Sequence, residues 1–280
     1  MRGDVADRKA GNLSRAERHM VPLEGLIHLA GRNVKSQSTA MMRIGSNVIR
    51  YTFLIGDEEM SFDIGIARED RVTAEDMAKG QYPAWTHLEH KQCACCPLKK
   101  ETHCKCPAAV RMHEALESFK DFKSVESVRL VVETERRTYT QVCDLQSGLN
   151  SMLGLLMATS GCPVAGELRG MATFHMPYCS FGETLYRSVG AYLTKQYFAK
   201  QDGGAPDWDL EGLKAFYREL EQLNQAFSER IRGIEQSDAL SNAMAMFFAT
   251  SAVVASTLDE HLAEYKDYFT GKSAHPPRDG

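Results

Sequence analysis

Five of the chain's eight cysteines, Cys93, Cys95, Cys96, Cys104 and Cys106, fall between residues 93 and 106, with His103 among them. Residues 1–20 alternate charged with small polar side chains and lack the apolar core of a secretory signal, so a reducing cytoplasmic location is expected. In that compartment, thiols this dense point to a metal rather than to disulfides. Reduced, unliganded thiols or a redox-sensing loop form the competing reading. Local cysteines let ligands converge without the entropy of closing long loops.

The run Cys93-Ala94-Cys95-Cys96 supplies a Cys-x-x-Cys knuckle, and Cys104-Lys105-Cys106 supplies a return pair. Cys-Pro occurs three times, at Cys96-Pro97, Cys106-Pro107 and Cys162-Pro163, which marks Cys162 as a remote fourth ligand. The expected metal set is therefore Cys93, Cys96, Cys106 and Cys162, with Cys104, Cys95 or His103 as local substitutes. Zinc is expected because closed four-ligand sites most often hold it, and an iron–sulfur cluster is the alternative. Lys91, Lys99, Lys100 and Lys105 would offset part of the thiolate charge.

Trp85-Thr86-x-Leu88, Cys-x-x-Cys-Pro-Leu at 93–98, Cys106-Pro107-x-Ala109, Thr159-Ser160-Gly161-Cys162-Pro163 and Glu183-Thr184-Leu185-Tyr186-Arg187 together resemble an uncharacterised bacterial protein family. The resemblance covers roughly residues 40–200. It implies a bacterial, cytosolic origin and supports Cys93, Cys96 and Cys106 as ligands, with Cys95 and Cys104 as additions to the pattern. It implies nothing about reaction or substrate.

Around the cysteines the patterning predicts an α+β fold. Val48–Ile55 is rich in β-branched and aromatic residues, Gly56-Asp57 supplies a turn, and residues 60–66 alternate apolar with polar. A second strand pair is expected from the alternation of Val128, Leu130 and Val132, followed by residues 139–143. Two hairpins thus make a small antiparallel sheet with the Cys-rich metal loop and a helix over 108–122 between them. From residue 145 the period becomes helical, with a capping box at Ser180–Glu183 and further helices over 209–233 and 238–269. The expected organisation is a disordered tail over 1–22, a β-rich metal-bearing half over 23–144, a helical bundle over 145–270 and a flexible tail over 271–280. Residues 243–257 form the most apolar stretch and are expected to be a buried helix rather than a membrane span.

A second polar set, Arg169, His175, Cys179, Glu183 and Arg187, lies beyond Cys162. Glu183 and Arg187 are four apart on a predicted helix and are expected to pair. His175 and Cys179 flank a helix break at Pro177, where a thiol can be activated or an anion bound. The plainer expectation is an ion pair, a satisfied histidine and a packing thiol. His175, Cys179, Glu183 and Arg187 are nonetheless the candidates for catalysis.

The net charge of -4 disfavours a nucleic-acid partner. Phosphate-loop, dinucleotide, zincin and nucleophile-elbow motifs are absent from the sequence. The expected function is metal-stabilised binding or regulation through a protein or small-molecule partner. The alternative is an enzyme, either an iron–sulfur redox protein or one using the pocket at residues 175–187.

Overall fold

The structure, a computed structural model, describes residues 44–67, 73–232 and 238–276. The tail expected over 1–22, the start of the β-rich half and the last four residues lie outside the described residues. The described residues belong to one compact unit.

β1 (Val48–Ile55) and β2 (Glu58–Gly65) form the first hairpin, with Ile55 opposite Glu58. The two-residue turn needs a left-handed residue, and Gly56 supplies it at φ +57°. Strict alternation along β1 buries Ile49, Tyr51, Phe53 and Ile55 on one face. β3 (Ser127–Glu133) and β4 (Thr138–Asp144) form the second hairpin. The hairpins join through β1 and β3, which pair antiparallel with Phe53 opposite Leu130, so the order is β2-β1-β3-β4. The expected α+β architecture is what the chain adopts.

After β2 come α1 (Ala74–Lys79), a 3₁₀ turn at Ala84–Thr86 and the cysteine-bearing loop. α2 (Pro107–Ser118) opens with proline at its first position, where a missing N–H costs nothing. α3 (Leu145–Thr159) is capped by Asp144, whose carboxylate accepts from the Ser147 N–H at 2.9 Å. It lies so close to the sheet that a Cβ at Gly148 would sit 3.1 Å from Leu130 and 3.2 Å from Phe53. The main apolar cluster joins sheet residues such as Phe53 and Leu130 to Met112 of α2 and Met152 of α3. Each fully buried side chain of that size contributes roughly 1.5–3 kcal/mol.

α4 (Arg169–Thr173) ends before Pro177, and α5 (Phe181–Gln201) opens with the expected capping box. α6 (Glu211–Ile231) presents an apolar stripe of Leu213, Tyr217, Leu220 and Phe227. With Leu185 of α5 and Val254 and Leu258 of α7 (Asp238–Phe269), part of this stripe builds a second cluster.

α7 departs from expectation in two respects. It is kinked at Thr257 (φ −129°, ψ 20°), where the threonine hydroxyl bonds back to the Val253 carbonyl at 2.8 Å. It is also not a buried helix. Ser241–Phe269 has the length and apolarity of a membrane span, yet only 28% of its most apolar window is buried. Ala243, Met244 and Val254 face the core, while Met246 and Val253 stay exposed. One stripe is enough for α7 to pack along α3 and α6.

Candidate metal centre and the adjoining cavity

The loop between α1 and α2 folds back on itself. The Leu88 N–H donates to the Cys104 carbonyl at 3.1 Å and the Cys106 N–H to the Thr86 carbonyl at 2.8 Å, so 86–88 runs antiparallel to 104–106. Between these strands the Cys96 N–H donates to the Cys93 carbonyl at 3.0 Å, closing the knuckle. Lys91, just before it, takes a left-handed backbone at φ 50°.

Cys93, Cys96, Cys106 and Cys162 line one cavity of about 20 Å³, bounded also by Pro107, Phe227 and Arg230. The other candidates lie outside this cavity's wall, although Cys95 also hydrogen-bonds Cys93. The Cys95 Sγ–H donates to the Glu219 carbonyl at 3.3 Å, Cys104 is exposed, and the His103 ring bonds the Thr102 hydroxyl at 3.0 Å. The four expected ligands therefore share one space, and the local substitutes do not.

The recurrence of Cys-Pro has a physical reason. Proline has no N–H, so the first donor able to turn back onto the sulfur belongs to the second residue after the cysteine. The N–H groups of Leu98, Ala108 and Val164 bond the sulfurs of Cys96, Cys106 and Cys162 in this way, and Ala109 and Ala165 add second donors to the last two. Such donors favour thiolate over thiol.

Cys93 and Cys96 share a hydrogen bond in which Cys93 keeps the proton, and this raises the Cys93 thiol and lowers Cys96 to about 6. Burial raises Cys106 and pushes Cys162 up to about 12.

The cation facing these thiols without a carboxylate partner is not one of the loop lysines, for Lys91 also lines the cavity but its ammonium lies 4.0 Å from the Glu229 carboxylate. Lys100 pairs with Glu89 at 3.0 Å, and the Lys105 ammonium lies 3.0 Å from His87 Nε2. Instead Arg230 of α6, 2% exposed, borders the sulfurs. Its guanidinium donates to the carbonyls of Trp85 and His87, each at 2.6 Å, and of Leu88 at 3.2 Å. No carboxylate pairs with it among the described residues. Burial lowers its pKa, and the charges of Cys106, Cys93 and Cys96 act in the opposite sense. Sequence reading missed Arg230, although a signal existed: an arginine at the end of an otherwise apolar helical stripe.

As the side chains stand, no group of three or more His, Cys, Asp or Glu among the described residues is closed tightly enough to hold an ion. The shared cavity is the better guide to the donor set. The backbone fixes all four Cα positions, whereas each Sγ moves between staggered wells by rotation about a single torsion. The four thiols fit a tetrathiolate metal centre, whose net charge of about −2 the sulfur-directed N–H groups and a guanidinium without a carboxylate partner among the described residues would offset.

The second polar set gathers only in part. His175, Cys179 and Arg187 line a larger cavity of about 360 Å³ beneath α3, α5 and α7. Glu183 does not. Its carboxylate accepts the Ser180 N–H at 2.8 Å in the capping box, so the expected Glu183–Arg187 pair is absent. Arg187 turns inward and donates to the carbonyls of Met171 (2.8 Å) and Phe174 (3.3 Å) and to Cys179 Sγ (3.2 Å). Arg169 lies outside this cavity's wall, and its Nη1 is buried without a partner among the described residues.

His175 does not touch Cys179's proton. Its Nε2 bonds the buried Tyr51 hydroxyl at 2.5 Å, and that hydroxyl also meets Ser151 Oγ at 2.9 Å. Burial and then the Arg187 charge lower His175 to about 3, so the ring is neutral. The Cys179 Sγ–H donates to the Met176 carbonyl at 3.1 Å, and burial raises its thiol. Tyr178, left-handed at φ 60°, is anchored through its hydroxyl to the Leu130 carbonyl at 3.0 Å.

A family model described as "Domain of unknown function (DUF6901)" matches residues 48–270. Neither a curated protein nor a solved structure matches the chain.

Proposed function

The chain belongs to this family of unknown function, DUF6901, and we propose that it is a metal-clasped binding or regulatory protein. In this reading Cys93, Cys96, Cys106 and Cys162 hold one structural ion, zinc by preference. Its support is one observation: four thiols from three separate parts of the chain line a single cavity beside a buried arginine that has no carboxylate partner among the described residues.

Several features favour a structural zinc role. Four thiolates fill a tetrahedral shell and leave no open position for substrate. The cavity volume of about 20 Å³ suits a single ion better than a multi-iron cluster. Cys162 follows α3, whereas the other three precede or cap α2, so the ion would tie the sheet-side loop to the helical part. Eight free cysteines are compatible with a reducing, cytosolic setting, which we include in the proposal together with a bacterial origin.

Catalysis at His175, Cys179 and Arg187 is the second reading, and their common cavity speaks for it. Against it, the Cys179 thiol is bonded to a carbonyl rather than to a base. Elemental analysis of anaerobically purified protein tests the first reading. One zinc per chain, no visible absorbance and a chelator-induced loss of stability are expected. A brown protein with iron and sulfide would replace zinc by a cluster. Absence of any metal, with all cluster thiols titratable in the folded protein, would refute the clasp.

A further inference from the structure

The larger cavity has a charge pattern of its own. Leu155, Leu168 and Phe247 form apolar wall, while Ser147, Asn150 and Ser151 offer polar atoms. Among its described lining residues there is no aspartate or glutamate, and Arg187 is the one arginine or lysine. His175 is neutral and Cys179 keeps its proton, so neither balances that charge. Three of the guanidinium's five N–H donors go to Met171, Phe174 and Cys179, and the Nε–H and one Nη1 proton have no partner among the described residues. Asn150 Oδ1, on the same wall, is buried without a partner among the described residues. A cation held by neutral acceptors in a half-apolar cavity retains its full attraction for an anion.

The geometry points to a binding site for a small organic monoanion, a carboxylate on an apolar body. The carboxylate sits at Arg187 and the body packs on Leu155, Leu168 and Phe247. One fixed positive charge matches one negative charge. A phosphate dianion would bring a second charge into a cavity with no second cation. The volume of about 360 Å³ lies in the range of small-molecule sites and well exceeds a single aromatic ring. The site needs neither the thiol clasp nor its metal, so the two proposals stand or fall separately.

Calorimetric titration of the full-length protein with benzoate, its neutral isostere benzamide and inorganic phosphate provides the test. Benzoate is expected to bind, with benzamide and phosphate weaker by roughly tenfold or more, the worth of a charge-assisted hydrogen bond. Arg187→Gln is expected to weaken benzoate by roughly 10- to 100-fold and to leave benzamide unchanged. Because Arg187 also ties down two carbonyls, Thr250→Glu provides a second arm. Thr250 lines the cavity, and among the described residues its hydroxyl bonds within its own helix, to the Met246 carbonyl. A carboxylate there is expected to abolish benzoate binding in a folded protein. Equal binding of benzoate and benzamide, tighter binding of phosphate, no benzoate binding at all, or unchanged benzoate affinity in either folded variant would overturn the proposal.

Discussion

Replacing Arg230 by methionine separates its two roles, holding the loop and balancing the thiolates. The first is independent of metal. Truncation removes three hydrogen bonds and strands the carbonyls of Trp85 and Leu88 in buried surroundings and that of His87 in a partly buried one. An unsatisfied buried acceptor costs about 1–3 kcal/mol, so the chelated protein should lose roughly 3–6 kcal/mol. That is a large part of a typical total of about 5–15 kcal/mol. The second role exists only while the sulfurs are charged. Loss of the neighbouring guanidinium should weaken the metal site by a further 1–3 kcal/mol or so, about 5- to 150-fold in affinity. Urea unfolding of wild-type and Arg230→Met protein, each zinc-loaded and chelated, forms a four-way cycle that isolates this coupling. A loss of the same size in both metal states would refute the electrostatic link between Arg230 and the thiolates. A total loss under about 1 kcal/mol would refute the carbonyl accounting as well.

Other expectations are smaller and local. The folded-state pKa of His175 is depressed from 6.5 to about 3, so between these values the unfolded chain binds one more proton and stability falls as the pH drops. Unfolding free energy should fall by about 2 kcal/mol between pH 7 and pH 5, and His175→Gln should flatten that dependence, as read from urea midpoints. An unchanged slope in the variant would remove His175 as the source. Asp144→Ala deletes the cap of α3 and should cost about 1 kcal/mol, a fall of roughly 2–4 °C in Tm by scanning calorimetry. Cys104→Ser should leave metal content unchanged because Cys104 faces solvent, whereas Cys162→Ser should lower it, as measured by elemental analysis.

Local signals carried much of this fold. The alternation of Ile49, Tyr51 and Phe53 set a strand with one buried face, and Ser180 with Glu183 set the start of α5, because both patterns act within a few residues. The same locality explains the misreadings. Glu183 and Arg187 have the spacing of a pair, but the cap claims the carboxylate and three inward acceptors claim the guanidinium. The apolarity of α7 suggested burial, yet the number of neighbours, not composition, decides how much of a helix is covered. At the candidate centre the Cys-Pro recurrence singled out Cys162 because each proline leaves the same sulfur-directed N–H two residues on. Arg230 and the Tyr51–His175 contact escaped notice, since both depend on chain segments more than a hundred residues apart.

The claim on which the account rests is that four particular sulfurs share one ion. X-ray absorption at the zinc edge of the purified, zinc-loaded protein reads this directly. Four sulfur scatterers at about 2.3 Å, falling to three with one oxygen or nitrogen in Cys162→Ser, is the predicted result. A wild-type shell with fewer than four sulfurs, or a shell that Cys162→Ser leaves unchanged, would contradict it.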